Sequence, residues 1–346
     1  VKVKQARKKQ KFGSSVLLMT KSSEGMHSMP DNKRTIVVGT RQSALALQQT
    51  GHVIADLQAI CKRAGLDYQF EIKKIVTKGD QVLDVSLSKV GGKGLFVKEI
   101  EQALLDGEID LAVHSMKDMP AILPEGLIIG AVPQREDARD ALITNNGQTF
   151  YELAPGSTIG TSSLRRAAQL LAKRPDLNIV SLRGNIDTRL RKLREGEMAA
   201  IVLAAAGLHR MGWQAEISEY LQPDICLPAV SQGALGIECR SDDDLVLALL
   251  ANYNHPTTAR CVEAERSFLA AVDGGCQWPI AGYAVVEDGS DEQTANLQLQ
   301  ALIADPQGST MYHMQAEGND AKQLGQQVAS SLLAQGAAQL LQRLKG

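Results

Sequence analysis

The chain has 346 residues with a formal charge of −2, and 44% of them are hydrophobic, 22% charged and 4% aromatic. Such a composition can bury a sizeable core, which excludes a wholly disordered chain, and its length suits two or three domains of ~150 residues. No apolar run approaches the ~20 residues that span a bilayer. The five cysteines include no C-x-x-C pair, which argues against a disulfide framework and a structural zinc site and implies a soluble protein of a reducing compartment.

Residues 1–33 carry eight Lys/Arg against Glu24 and Asp31, leaving an acidic remainder. This leader has no periodic pattern, and Val16–Met19 is too short for the apolar region of about 7–15 residues in a secretory signal. It reads as a disordered basic tail, with Met26 or Met29 as alternative natural starts.

From Ile36 the pattern is α/β. Thr35–Val38 reads as a buried strand, Gly39–Ser43 as its turn and Ala44–Cys61 as a helix. A second strand runs near Gln69–Val76. Phe96, Ile100 and Leu104 mark a helix ending at Gly107, and Ile109, Leu111 and Val113 alternate as a strand. This alternation implies a largely parallel sheet with ligands beyond the carboxyl ends of its strands. Pro133–Asp140 is a polar crossing into a second unit: strand Ser157–Gly160, helix Ser163–Lys173, strand Asn178–Leu182, helix Asp187–Arg194, strand Ala199–Leu203. Leu227–Cys239 is apolar and glycine-rich, as for a chain returning to the first unit. After Pro256 a third unit begins, with strands at Tyr283–Val286 and Leu297–Ile303 and an amphipathic terminal helix interrupted by Gly336.

Residues 161–194 form a basic island of nine Lys/Arg opposed by Asp176 and Asp187. In Gly160–Arg166 a strand passes into a helix behind hydroxyl residues, where unpaired N–H groups and two arginines favour an anion. Leu182–Asn185, followed by Arg189, repeats the arrangement. Arginine suits carboxylates because its planar fork binds both oxygens. Arg165, Arg166, Arg183 and Arg189 therefore read as ligand contacts, and Lys173, Arg174, Arg191 and Lys192 as solvated helix faces. Nucleic acid is disfavoured by the scarcity of aromatics and the acidic remainder.

His114–Pro120 is a polar run just past a strand end. Asp118 there is either a catalytic acid or charge stabiliser, with Lys117 holding anions, or one half of a local Lys–Asp turn pair. Lys89–Gly94 lacks the spacing of a phosphate loop and reads as a mobile flap. Cys61, Cys226, Cys239 and Cys261 sit in apolar contexts and read as core. Cys276, in a loop whose glycines permit close approach, is a candidate nucleophile or attachment point.

The segments TRQSALAL (40–47), KVGGKGLFVKE (89–99), AVHSMKD (112–118), GTSSLRR (160–166), LRGNIDTRL (182–190) and GGCQWPI (274–280) together resemble the porphobilinogen deaminase (hydroxymethylbilane synthase) family. The likeness runs from about Ile36 to the C-terminus. It implies an α/β fold of three domains: 34–133 with 231–251, 139–228, and 256–346. The first two are expected to resemble the lobes of a type II periplasmic binding protein, and the third to be a small α+β domain.

The implied activity joins four porphobilinogen molecules head to tail with loss of ammonia, on a dipyrromethane cofactor held by a thioether to Cys276. Hydrolysis then releases hydroxymethylbilane. Asp118 matches the family's catalytic carboxylate. Arg41, Ser43, Lys89, Lys117, Ser163, Arg165, Arg166, Arg183, Arg189 and Arg210 match positions that bind cofactor and substrate. The resemblance further implies a cytoplasmic monomer without metal, nucleic acid or membrane partner, whose product passes to uroporphyrinogen-III synthase.

The chemistry is coherent with these residues. Each pyrrole brings two acids, which a basic cleft would hold. Loss of ammonia leaves a cation, and a carboxylate ~4 Å away stabilises it by roughly 4 kcal/mol. A protein that only captures an acidic ligand, or a relative without turnover, are the competing readings. Departures from the family pattern are Ala44, Ser231 and Trp278. Ser231 stands where glycine is usual, so a positive φ at that position would be strained.

Overall fold

The computed structural model describes residues 33–81, 97–274, 278–286 and 295–345. The leader, the flap with Lys89, Phe96 and Cys276 fall outside the described residues.

The first sheet is built from β1 (Lys33–Arg41), β2 (Asp67–Ile75), β3 (Leu111–Ser115) and β4 (Leu127–Ala131), with β10 (Leu235–Arg240) inserted late, in the order β2-β1-β3-β10-β4. Helix α1 (Ala44–Ala64) follows β1, and α2 (Lys78–Gln81) and α3 (Lys98–Leu105) precede β3. The second sheet repeats the layout. It takes β5 (Asp140–Thr144), β6 (Thr158–Gly160), β7 (Asn178–Val180), β8 (Ala200–Ala204) and β9 (Glu219–Leu221) in the order β7-β6-β8-β5-β9. Its helices are α4 (Leu164–Lys173), α5 (Ile186–Arg194) and α6 (Ala205–Arg210). Helices α7 (Asp244–Ala251) and α8 (Pro256–Ala271) lead to a third, antiparallel sheet of β11 (Ile280–Val286), β12 (Leu297–Ala304) and β13 (Met311–Gly318). Helices α9 (Ala321–Leu332) and α10 (Ala338–Lys345) close the chain across a kink at Gly336, where φ is 122°.

Neither five-stranded sheet is purely parallel. β10 runs antiparallel to β3 and β4, and β5 antiparallel to β8 and β9. In each sheet the reversed strand is the one that arrives from the other, and this is what local alternation could not reveal. Other bounds also differ from the sequence reading. β1 runs on to Arg41 because pairing with β2 extends through Arg41 and Ile75. β4, β5, β9 and β13 had no sequence counterpart, nor did α7 and α8.

Apolar periodicity explains the layers. Val53, Leu57, Ile60 and Cys61 of α1 bury one face against Ile36, Val38, Leu111 and Ile237, while Ile100 and Leu104 of α3 cover the opposite face with Ile109 and Ala112. The second sheet is covered on both faces too, by Leu170 with Ile159 and Val202, and by Leu190 with Ile201 and Leu203. Central strands covered on both faces need near-continuous apolar runs, as in Ala200–Ala204. The third core centres on Phe268, Leu299, Ile303, Val328 and Leu332.

The topology gathers the loops that matter at one edge of each sheet. β4 leaves the carboxyl edge of the first sheet, and Asp140 opens β5 opposite Ala204, the carboxyl end of β8. The chain returns after Leu221, which also pairs with Asp140, and β10 begins with Leu235 opposite Ser115, the end of β3. Both crossing segments therefore lie at the edges where an α/β sheet binds its ligands.

Ser231, in the second crossing, has φ 60°, the left-handed value that glycine tolerates and other residues adopt at a cost of roughly 1–2 kcal/mol. It is buried, and its Oγ has no hydrogen-bond partner among the described residues. Ser231→Gly should therefore raise stability by about 1 kcal/mol after allowing for glycine's greater unfolded-state freedom. A denaturant midpoint equal to or below that of the natural chain would contradict this.

Candidate active site

Asp140 is fully buried at the start of β5. Its Oδ2 accepts from Nη1 of Arg165 at 2.6 Å, and its Oδ1 accepts from Nε of Arg166 and Nε2 of Gln232, each at 2.9 Å. Burial alone would push this carboxyl up, but Arg165 and Arg166, helped by Gln232, hold it well below the usual carboxylate range. The arginines are anchored further: Arg165 donates to Leu227 O at 2.7 Å, and Arg166 to Val202 O at 2.8 Å. The neighbouring Cys226 thiol is pushed up to about 12 by burial and Asp140, so it is inert filling.

Both arginines sit in the first turn of α4 because Ser163 caps it, its Oγ accepting from Arg166 N at 3.5 Å. Ser43 caps α1 in the same way, accepting from Ala46 N at 3.3 Å, with Arg41 just before it at the end of β1. Ser162 Oγ donates to Leu182 O at 2.7 Å, tying the loop after β6 to the loop after β7 and so setting Arg183. Gly184 follows with φ 110°, and a Cβ there would meet Thr188 at 2.8 Å. Arg189 folds back on this turn, its Nε donating to Gly184 O at 2.8 Å.

The first sheet contributes the 3-10 turn Met116–Asp118, which directly follows β3. Lys117 Nζ donates to Gln232 Oε1 at 3.2 Å. Gln232, fully buried in the second crossing, thus links Lys117 of the first sheet to Asp140 of the second. Burial and then Arg166 pull the Lys117 ammonium down to about 8, although Asp118 and Asp140 support its charge. Arg189 is drawn down to about 10 by burial and by Arg166 and Arg183. Arg210 lies against the second crossing instead, donating to Gly233 O at 2.6 Å. Met116, Lys117 and Met119 line a cavity of about 30 Å³ with Val230, Arg266 and Ile280, four residues beyond Cys276. A larger open hollow of about 480 Å³ along Gly318, Asp320 and Gln327 carries no cation and lies away from this chemistry.

The structure brings Asp118, Arg165 and Arg166 within electrostatic reach of Lys117, and Arg166 and Arg183 within reach of Arg189. Sequence reasoning missed Asp140 and Gln232, which organise them. Arg174, expected on a solvated face, instead donates to Phe150 O and Leu153 O and pairs with Asp176. The four core cysteines are buried as expected. Among the described residues no group of His, Cys, Asp and Glu could hold a metal ion, and no helix is long and apolar enough to cross a membrane.

Five cations against the two carboxylates Asp118 and Asp140 leave a positive surplus that, added to burial, depresses Lys117 and Arg189. That surplus suits a ligand carrying several carboxylates. Comparison with known proteins gives the family. Residues 36–248 match the family model described as "Porphobilinogen deaminase, dipyromethane cofactor binding domain", and residues 259–334 match "Porphobilinogen deaminase, C-terminal domain". The chain is 58% identical over 313 residues to the porphobilinogen deaminase of Halalkalibacterium halodurans, covering 90% of this chain and 98% of that one. To the porphobilinogen deaminase of Bacillus subtilis it is 55% identical over 313 residues, covering 90% and 97%. Among solved structures, a putative methionine-binding lipoprotein of Bacillus subtilis aligns over 64% of this chain and 90% of its own, at 13% identity and a TM-score of 0.39.

The chain belongs to the porphobilinogen deaminase family. It is a transferase of tetrapyrrole biosynthesis with a dipyrromethane cofactor, and the family implies porphobilinogen as substrate.

Two outcomes follow from the site. Asp140→Asn leaves two buried guanidinium groups without their anion and should cost roughly 3–5 kcal/mol, read by chemical denaturation. Lys117 loses its proton as pH climbs through about 8, so KM for porphobilinogen should rise over that range. Lys117→Gln should show a high KM throughout and no such limb; an unchanged limb would assign it to another group.

Proposed function

We propose that this chain condenses four porphobilinogen molecules head to tail, losing one ammonia at each addition, and frees linear hydroxymethylbilane by hydrolysis. In this reading Cys276 holds the dipyrromethane as a thioether. When bound, that group supplies the nucleophilic pyrrole end on which the chain grows. Arg183, Arg189 and Lys117, with Arg41, Ser43, Lys89, Ser163 and Arg210, bind the acetate and propionate side chains. Arg165 and Arg166 bring charge already fixed by Asp140.

The observation that carries this reading is the cluster of cations, Lys117 with Arg165 and Arg166 and Arg189 with Arg166 and Arg183, at the carboxyl edges of two sheets, with half-buried Asp118 acting on Lys117. The cations hold the acidic rings in place. In this reading the negative charge of Asp118 stabilises the cation left when ammonia departs, and the carboxylate then takes up the proton released on joining rings. At an effective dielectric near 20, a carboxylate ~4 Å from that cation is worth roughly 4 kcal/mol, about three decades in rate.

We assign three domains, 34–133 with 231–251, 139–228 and 256–346, in keeping with the three sheets. We also read the protein as a cytoplasmic monomer that binds neither nucleic acid nor membrane and whose product passes to uroporphyrinogen-III synthase. These assignments follow from the family resemblance.

Intact mass tests the central claim. The purified chain should carry a two-pyrrole adduct on the Cys276 peptide, and Cys276→Ser should lack it. Turnover by an unmodified chain would end this reading. Asp118→Ala should keep the adduct yet lose about 10³-fold in kcat; near-normal turnover would remove Asp118 from its role.

A further inference from the structure

The turn bearing Asp118 is gripped from behind by a helix of the third sheet's unit. Ala259, Val262 and Arg266 fall on one face of α8 at spacings of three and four. Val262 and Ala259 pack with Met116 and Met119, the two methionines that bracket Lys117 and Asp118. One turn further on, Nη2 of Arg266 donates to Pro120 O at 2.6 Å and Ala121 O at 3.3 Å, closing the backbone two and three residues beyond Asp118. Burial lowers the guanidinium's hold on its proton, with Glu238 opposing. Arg266 also lines the small cavity shared with Lys117 and Ile280.

The same helix is fixed to both crossings. His255 N donates to Val132 O at 2.8 Å. Glu265, fully buried, pairs with Arg135 at 2.6 Å, accepts from Ser231 N, and accepts from Ala284 N at 2.8 Å. From Arg266 the helix runs to Ala271, and the chain reaches Gly274, two residues short of Cys276. A helix is stiff, with a fixed rise of ~1.5 Å per residue. A side chain anchored on it therefore sets where the catalytic turn lies relative to the chain leading to the attachment cysteine.

We propose that Arg266 is a positioning residue: by holding the carbonyls of Pro120 and Ala121 from α8, it registers the Asp118 turn against that helix and the chain that follows it to Gly274. It acts through the backbone carbonyls that it holds. The inference rests on the roles proposed above for Asp118 and Cys276. Displacing a catalytic group by ~1 Å can cost about 10²-fold in rate, so loss of this grip acts on the chemical step rather than on binding.

The experiment compares the wild-type holoenzyme with Arg266→Gln and Arg266→Lys, with kcat expressed per adduct-bearing chain and measured well below each melting temperature. Arg266→Gln should retain the adduct, keep KM for porphobilinogen within about twofold, and lose about 10- to 100-fold in kcat. Arg266→Lys, which keeps the charge but not the fork, should fall between the two, and it decides the matter if the Gln variant does not fold. Wild-type kcat in either folded variant, or a raised KM at constant kcat, overturns the positioning role. Absence of the adduct from the wild-type chain instead overturns the underlying assignment of Cys276, so the two failures are distinguishable.

Discussion

A single buried carboxylate holds the charged architecture together. Asp140 is sealed from solvent and engaged by two arginines and a glutamine. An ion pair so deeply buried gains little over an apolar substitute of the same shape, because desolvation offsets attraction. Its worth lies in geometry. Asp140 fixes the direction of two guanidinium groups at the head of α4, and through Gln232 it reaches Lys117 on the other sheet. The polar link between the two sheets and the organiser of the anion site are thus the same set of atoms.

The site is built at the expense of the fold. Lys117 holds its proton less firmly when folded than when unfolded, since burial and Arg166 outweigh Asp118. Between about pH 8 and 10 the unfolded chain binds more protons at this position, so this group's contribution to stability rises with pH. Its attraction for an anion runs the other way. A positively charged cleft that strains against itself is the expected signature of a ligand able to neutralise it, and Arg189 shows the same tension.

Much of this was legible from spacing. Strand–helix alternation, the apolar face of α1, the polar runs after strand ends and the break at Gly336 all arise from local periodicity and survive in the fold. What local pattern could not show was partnership across the chain. Asp140 looked like the last residue of a polar crossing, PQREDARD, because nothing nearby signals that Arg165 and Arg166 will close over it. Gln232 looked like one polar residue in an apolar, glycine-rich return. The hydroxyls of Ser43 and Ser163 were read as ligand contacts, but they also cap helices, a role equally consistent with their position. The reversed strands β5 and β10 escaped because direction within a sheet is set by the crossing path, not by the strand's own residues.

That crossing path bears on how the molecule comes into being. β10 lies between β3 and β4 in the first sheet, yet it is encoded after every strand of the second. During synthesis the ribosome must extrude some 240 residues before this gap can be filled. Until then β3 and β4 each present an unsatisfied edge, the kind of surface that invites mispairing. The second sheet, whose strands are contiguous in the chain, can fold in the meantime and bring the late strand home to its slot.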